Sequence, residues 1–93
     1  MLNIRGEGLG VSIVIPNWEG ADVLAANLPS VIRAASVAPW PVEILIVDDG
    51  SADESVRVVR GFGPRVRLLQ HDINRGFGQA VATGAPSARG NIL

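Results

Sequence analysis

The chain has 93 residues, of which 47% are hydrophobic and 18% are charged, and its formal net charge is −1. This length predicts one small domain and excludes a two-domain enzyme, because globular domains usually have about 50–250 residues. The absence of cysteine excludes disulfides, thiolate zinc sites and a cysteine nucleophile.

The first predicted strand follows a glycine-rich beginning. Residues 1–10 show no hydrophobic period, so they are predicted to form a flexible leader ahead of a domain at residues 11–93. Residues 11–15 read Val-Ser-Ile-Val-Ile, a short β-branched run typical of a strand buried on both faces of a parallel sheet. Pro16 is predicted to stop this strand, and residues 16–20 are predicted to form a loop.

A helix and a second buried strand come next. From Asp22 onwards apolar residues recur at spacings of one, three and four, which predicts an amphipathic helix that ends before Pro39. Pro29 lies inside this helix and predicts a kink or a later start. Residues 42–47 read Val-Glu-Ile-Leu-Ile-Val and predict the second strand.

A capping pattern precedes the second predicted helix. Ser51 and Glu54 have the spacing of a capping box, in which each side chain bonds the backbone amide of the other residue. A helix is therefore predicted from this point to Arg60. Residues 66–71 predict a third strand, and residues 72–76 predict the loop that follows it.

The last predicted elements complete an alternating order. Residues 77–88 predict a helix weakened by Gly84 and Pro86, and the strand that starts at Asn91 has only begun at Leu93. The order βαβαβαβ predicts an α/β fold with a parallel sheet and right-handed crossovers, the first half of a doubly wound, Rossmann-like domain. The short final strand predicts that the domain is incomplete.

Charge and hydropathy argue against two classes of partner. The eight positive charges are all arginine, lie scattered and are balanced by nine acidic residues, so there is no basic stripe to neutralise nucleic-acid phosphates. The longest uncharged stretch, residues 76–88, is shorter and more polar than the roughly 20 apolar residues of a membrane span. We therefore expect no nucleic-acid partner and no transmembrane segment. The cytoplasm is the default location, because a small secreted domain would normally need disulfides.

Three loops follow the carboxyl ends of the predicted strands and are therefore predicted to meet at one edge of the sheet. Open parallel sheets bind ligands at this edge. These loops contain an indole, two carboxylates, an amide, a guanidinium and two glycines. The residues that carry these groups are Trp18, Asp48, Asp49, Asn74, Arg75, Gly50 and Gly76. An aromatic plane stacks on a base, a carboxylate accepts from base or ribose donors, and arginine pairs with phosphate oxygens. The set favours a nucleotide ligand.

Four segments together resemble a known family. They are residues 11–18, 43–55, 74–80 and 88–90, and their order and spacing are similar to those of the amino-terminal half of family 2 glycosyltransferases of GT-A fold. The resemblance covers almost the whole chain. It implies transfer of a sugar from a nucleotide diphosphate donor, with this half supplying the nucleotide pocket and the strand near Asn91 lying beside the first strand.

The resemblance also implies roles for individual residues. Pro16 and Trp18 would line the base, and Asp49 would hold the base or the ribose. The residues that would close over the ribose or pyrophosphate are Asn74, Arg75 and Gly76. Asp48 would brace its own loop together with Gly50 and Ser51. Glu19 belongs to the same nucleotide-binding set, although many relatives carry asparagine there and also at the position of Ala82.

Catalysis is expected outside this sequence. In the family, the strand that starts near Asn91 ends in an Asp-x-Asp motif that binds a divalent metal on the donor pyrophosphate, and the general base comes from the other half. The chain stops at Leu93, before both. The resemblance therefore implies Mg²⁺ or Mn²⁺ for the full-length parent, whereas this chain alone would bind no metal, contain no catalytic residue and transfer nothing.

The activity that the resemblance implies for the parent is transfer of a hexosyl or deoxyhexosyl group from a UDP-, GDP- or dTDP-sugar. The acceptor would be a glycan or a lipid-linked sugar, as in the synthesis of bacterial surface polysaccharides. Such a parent would work in the cytoplasm or at the cytoplasmic face of a membrane.

Other function classes fit less well. A dinucleotide-binding oxidoreductase needs Gly-x-Gly-x-x-Gly after the first strand, and residues 16–20 lack it. A phosphorelay receiver relies on a lysine, and the chain has none. His71 has no second histidine or cysteine at ligand spacing, which argues against a metal site. The remaining alternative is a non-catalytic fragment that binds no nucleotide and oligomerises through an uncovered sheet edge or helix face.

Overall fold

The structure is a computed structural model that describes residues 10–89 and the backbone of residues 91–92. Its elements in chain order are β1 (Val11–Asn17), α1 (Ala21–Ser36), β2 (Val42–Asp49), α2 (Ser55–Arg60), a 3-10 turn (Gly63–Arg65), β3 (Arg67–His71), α3 (Phe77–Gly84), a second 3-10 turn (Ala85–Ser87) and β4 (Asn91–Ile92). The predicted leader at residues 1–10 lies, apart from Gly10, outside the described residues.

The four described strands form one parallel sheet in the order β3-β2-β1-β4. The α/β class, the parallel sheet and the place of the last strand beside the first are confirmed. The register sets Asn17 of β1 opposite Asp48 of β2, and it sets Asp49 of β2 opposite His71 of β3. The polar ends of three adjacent strands therefore finish at the same edge of the sheet.

The hydrophobic core lies on both faces of the central strand β2. Ile44 and Ile46 belong to a buried cluster with Leu24 and Leu28 of α1 and Val59 of α2. The alternate residues of β2, Leu45 and Val47, are also fully buried, and α3 packs on that second face. Alternating side chains of a strand point to opposite faces, so the continuous apolar run of β2 produces a sheet with helices on both sides.

The structure corrects two predicted boundaries. β1 does not stop before Pro16 but continues to Asn17, with Pro16 opposite Val47. Proline is tolerated in strands where its missing N–H faces an unpaired edge, and in the described residues β4 accompanies β1 only at Val11 and Ser12. The last helix ends at Gly84 instead of continuing to residue 88, and Pro86 lies in the 3-10 turn that follows. α1 runs through Pro29 as one helix.

The predicted capping box is wrong. α2 begins only at Ser55, and its N-cap residue, Glu54, makes no side-chain capping hydrogen bond. The Ser51 hydroxyl instead donates to Asp48 Oδ1 at 2.7 Å. The amides of residues 52 and 53 donate to the carboxylate of Glu19. The Glu19 carboxylate therefore connects the first loop to the turn before α2, and Asp53 Oδ1 accepts the first amide of α2, that of Ser55, at 2.9 Å.

Gly84 lies where α3 packs tightly against the sheet. A Cβ atom added there would lie 2.6 Å from Val14 Cγ1 and 2.8 Å from Val47 Cγ2. We expect Gly84→Ala to lower the free energy of unfolding by about 1–3 kcal/mol, because overpacking a filled core forces neighbouring side chains to move. Urea denaturation followed by circular dichroism measures this change.

Gly78 provides the matched control for this substitution. It lies in the same helix, and an added Cβ would meet nothing within 4 Å. Gly78→Ala is expected to keep or raise the stability, since alanine favours a helix over glycine by up to about 1 kcal/mol. Equal losses in the two variants would contradict the assigned packing of α3 against β1 and β2.

Candidate functional site

The carboxylate of Asp48 joins the ends of β1 and β2. Asn17 Nδ2 donates to its Oδ1 at 3.0 Å, and the Ser51 backbone amide donates to its Oδ2 at 3.0 Å. Together with the Ser51 hydroxyl, these donors satisfy a carboxylate that is only 2% exposed. Buried carboxylates persist where such donors replace water. Asp48 thus fixes the turn that follows β2.

The carboxylate of Asp49 holds the loop after β3. Its Oδ1 accepts the backbone N–H of Arg75 at 2.8 Å, and its Oδ2 accepts the N–H of Gly76 at 2.9 Å. His71 Nδ1 lies 2.8 Å from the same Oδ1. These hydrogen bonds from His71 and then from Arg75 hold the pKa of Asp49 below its ordinary value of 3.8. The side chain is therefore an anion at neutral pH.

Gly50 lets the loops after β2 and β3 touch. Its φ is +74°, in the left-handed region that favours glycine, and an added Cβ would lie 2.5 Å from the carbonyl carbon of Ile73 and 2.6 Å from the amide nitrogen of Asn74. No side chain fits between these two backbones. The bonds to Asp49 and the contact at Gly50 together fix the position of residues 73–76.

These loops enclose a cleft of about 200 Å³ beyond the carboxyl ends of the strands. Its lining includes predicted site residues and several that were not predicted. The lining residues are Pro16, Asn17, Trp18, Asp49, Asn74, Gly76, Phe77 and Ala80. Trp18 is 60% exposed and Phe77 is 73% exposed, so both aromatic rings present apolar surface that a planar ligand would cover.

Five of the predicted nucleotide-binding residues line this cleft, namely Pro16, Trp18, Asp49, Asn74 and Gly76. Two do not. Arg75 is attached to Asp49 through its backbone amide. The Glu19 carboxylate is directed to the amides before α2, and the backbone of Glu19 has a φ of +54°. Ala82, the other departure from the family pattern, is exposed on α3.

Sequence reasoning missed His71 and Phe77. The sequence raises His71 only as a metal ligand, whereas in the structure both of its ring nitrogens are hydrogen-bonded, to Asp49 and to Thr83 Oγ1, each at 2.8 Å. The sequence around His71 carries no signal for this role, which depends on the strand register that sets the last residues of β2 and β3 side by side. Phe77 follows the loop directly at the start of α3, where its ring reaches the cleft.

Residues 10–89 contain neither a cluster of metal-ligand side chains nor a membrane-spanning helix. Within that range no group of three or more histidine or acidic side chains is arranged to hold a metal ion. The described helices include none that is long and apolar enough to cross a membrane.

The pattern that defines glycosyl transferase family 2 matches residues 12–93. The chain belongs to glycosyl transferase family 2. The family indicated by the four sequence segments is therefore confirmed, together with its GT-A fold.

Other members of glycosyl transferase family 2 are similar along most of this chain. A succinoglycan biosynthesis protein, ExoO, of Rhizobium meliloti is 37% identical over 89% of the chain. An undecaprenyl-phosphate 4-deoxy-4-formamido-L-arabinose transferase of Edwardsiella ictaluri is 33% identical over 89%. A dolichyl-phosphate beta-glucosyltransferase of Drosophila melanogaster is 32% identical over 91%. The matched segments make up 23%, 27% and 29% of these relatives, so the chain spans about a quarter of their length.

A solved structure has the same fold. The mannosyltransferase PcManGT from Pyrobaculum calidifontis, in complex with GDP-Man and Mn²⁺, superposes with a TM-score of 0.73. The superposition covers 86% of this chain and 24% of that one, with 23% sequence identity. This likeness establishes the GT-A architecture of the described strands and helices.

Proposed function

We propose that this chain forms the nucleotide-binding part of a family 2 glycosyltransferase that uses a nucleotide diphosphate sugar as donor. One observation carries the proposal: residues from the ends of β1 and β2 and from the loop after β3 line a single cleft, at the edge of the sheet where open α/β folds bind ligands. The names of the relatives, which include polyprenyl-phosphate sugar transferases, and of the GDP-Man-bound mannosyltransferase support this choice.

The cleft suits a nucleoside better than a whole nucleotide sugar. Its volume of about 200 Å³ is below the roughly 300–1,000 Å³ of pockets that enclose drug-sized ligands. In the proposed complex Pro16 and Trp18 line the base, Asp49 accepts from the base or the ribose, and residues 74–76 cover the ribose or pyrophosphate. The sugar would extend beyond the described residues.

The proposed parent reaction transfers a hexosyl or deoxyhexosyl group to a glycan or a lipid-linked acceptor in the cytoplasm or at the cytoplasmic face of a membrane. The solved mannosyltransferase contains Mn²⁺, and a divalent metal would stabilise the charge of the leaving diphosphate. The described residues contain no cluster of three or more histidine or acidic side chains that could hold a metal ion, and we propose that the metal binds in the full-length parent. Alone, this chain is expected to bind nucleotide without transferring sugar.

Tryptophan fluorescence tests this proposal. UDP, GDP and dTDP are titrated separately, each in Mn²⁺ and in EDTA. We expect saturable quenching by at least one of them in both conditions, because the indole of Trp18 lies in the cleft and is exposed. Trp18→Phe is expected to abolish the response.

Trp40 is the matched control, since it is the only other tryptophan in the chain and does not line the cleft. Trp40→Phe is expected to preserve the quenching. Quenching that disappears in Trp40→Phe but persists in Trp18→Phe would contradict the site. No response to any nucleotide, in a sample that circular dichroism shows to be folded, would instead support the non-catalytic, non-binding alternative.

A further inference from the structure

His71 is the only histidine in the chain, and the described cleft does not include it. Its side chain is 7% exposed, and that of Asp49 is 4% exposed. Both ring nitrogens have partners at 2.8 Å, Asp49 from β2 and Thr83 from α3. A buried histidine with two short hydrogen bonds to two different elements is held in one orientation.

The hydrogen-bond partners also decide which ring nitrogen of His71 carries the hydrogen. An ionised carboxylate only accepts hydrogen bonds, so Nδ1 of His71 must carry hydrogen and donate to Asp49 Oδ1. In the neutral ring Nε2 then accepts, and the Thr83 hydroxyl, which can do either, donates to it. The hydrogen bonds thus run in one direction, from α3 through His71 to Asp49.

Asp49 connects His71 to the loop over the cleft, because its carboxylate bonds both. Its other partners, the amides of Arg75 and Gly76, belong to that loop. Those two bonds alone would let the carboxylate and the loop move together. The bond from His71, at the end of β3, holds the Asp49 side chain against rotation, so that the carboxylate keeps one orientation relative to the sheet.

We propose that His71 is a positioning residue that acts through Asp49. It fixes the carboxylate in the orientation that holds the amides of Arg75 and Gly76 at the wall of the cleft, and so sets the nucleotide affinity. The affinity part of this inference rests on the proposed function. The loop-holding part concerns the free protein and is tested separately.

Substitutions of His71 separate positioning from simple space filling. The side-chain amide of asparagine can place an N–H near the position of Nδ1, so His71→Asn retains the donor to Asp49 but loses volume. His71→Phe retains the volume of the ring and loses both hydrogen bonds. Positioning predicts that asparagine is the better replacement, whereas a packing role predicts the opposite order.

NMR of the free protein tests the first part. With a single histidine, the ring nitrogens give one assignable set of signals, and we expect the hydrogen on Nδ1. The amide signals of Arg75 and Gly76 are expected to stay near their wild-type positions in His71→Asn and to shift or broaden in His71→Phe. Hydrogen on Nε2 alone, or unchanged loop amides in His71→Phe, would overturn the proposal.

The nucleotide titration tests the second part, with Trp18 fluorescence as readout. We expect His71→Phe to weaken binding about tenfold and His71→Asn to remain within about threefold of wild type. Gln70→Ala, at the neighbouring exposed position of β3, should leave the affinity unchanged. Equal affinities for the phenylalanine variant and wild type would refute the inference. If wild type binds no nucleotide, the proposed function fails, and the NMR order of the variants still decides the loop-holding role.

Discussion

Replacing Gly50 with alanine is expected to lower the free energy of unfolding by about 2–5 kcal/mol. The left-handed backbone costs about 1–2 kcal/mol for a residue with a Cβ atom. The close approach of residues 73–74 adds about 1–3 kcal/mol of overpacking, because the atoms that the new Cβ meets belong to backbone and not to a side chain that can rotate. The nucleotide response should be lost as well, since the displaced loop forms one wall of the cleft.

Gly63 separates the two contributions. Its φ of +64° is similarly left-handed, but an added Cβ would meet nothing within 4 Å. Gly63→Ala is therefore expected to show only the backbone cost of about 1–2 kcal/mol and to keep its nucleotide response. Chemical denaturation of both variants measures the difference. If Gly50→Ala is no less stable than Gly63→Ala, the assigned contact between the two loops is wrong.

Asp49→Asn is expected to weaken nucleotide binding by about tenfold or more and to destabilise the chain by about 2 kcal/mol. The substitution keeps the shape of the side chain but removes its charge and turns one acceptor into a donor. In the wild type, N–H groups of His71, Arg75 and Gly76 lie against the Asp49 carboxylate. In the variant, one of them would face the N–H of the new amide. Titration calorimetry and urea denaturation measure the two losses, and Asp72→Asn, at an exposed position after β3, controls for the change in net charge.

Asp49 also predicts how stability depends on pH. Its pKa in the folded chain lies below 3.8, because of the hydrogen bonds from His71 and from the loop amides. The stabilisation from this group is therefore present above pH 3.8 and is lost as the pH falls through the lowered pKa. Asp53, whose pKa is lowered chiefly by hydrogen bonding with Ser55, whose backbone N–H donates to Asp53 Oδ1, acts in the same direction. Asp49→Asn should show a shallower loss of stability in acid than wild type, and parallel profiles would contradict the role given to Asp49.

Most of the fold could be predicted from the sequence because its buried strands are continuous apolar runs. The run at residues 42–47 has helical segments on either side, and in this order the only arrangement that covers both faces is a parallel sheet. Pro16 misled the prediction, since a proline ends a strand only where its N–H is needed for pairing. That depends on the neighbouring strand, which local sequence does not reveal.

The candidate site could be predicted only as a set of loops. The positions of Asp48 and Asp49 follow from where β2 ends, but the partners of their carboxylates depend on register between strands distant in sequence. Ser51 illustrates this limit, because its sequence spacing favoured a helix cap whereas the structure pairs it with Asp48. His71 is a second example, since no residue near His71 in the sequence indicates that β2 places a carboxylate beside its ring.

β1 has partners on both sides, and they become available at different stages of synthesis. Pairing with β2 requires residues only up to Asp49, whereas pairing with β4 waits for Asn91 and Ile92. The second pairing also closes a much longer loop, which costs more chain entropy. On the ribosome, the side of β1 that pairs with β4 would therefore stay exposed after the side that pairs with β2 is covered. Nascent copies of the chain are crowded together on polysomes. The uncovered edge of β1 is most exposed there to strand pairing between chains.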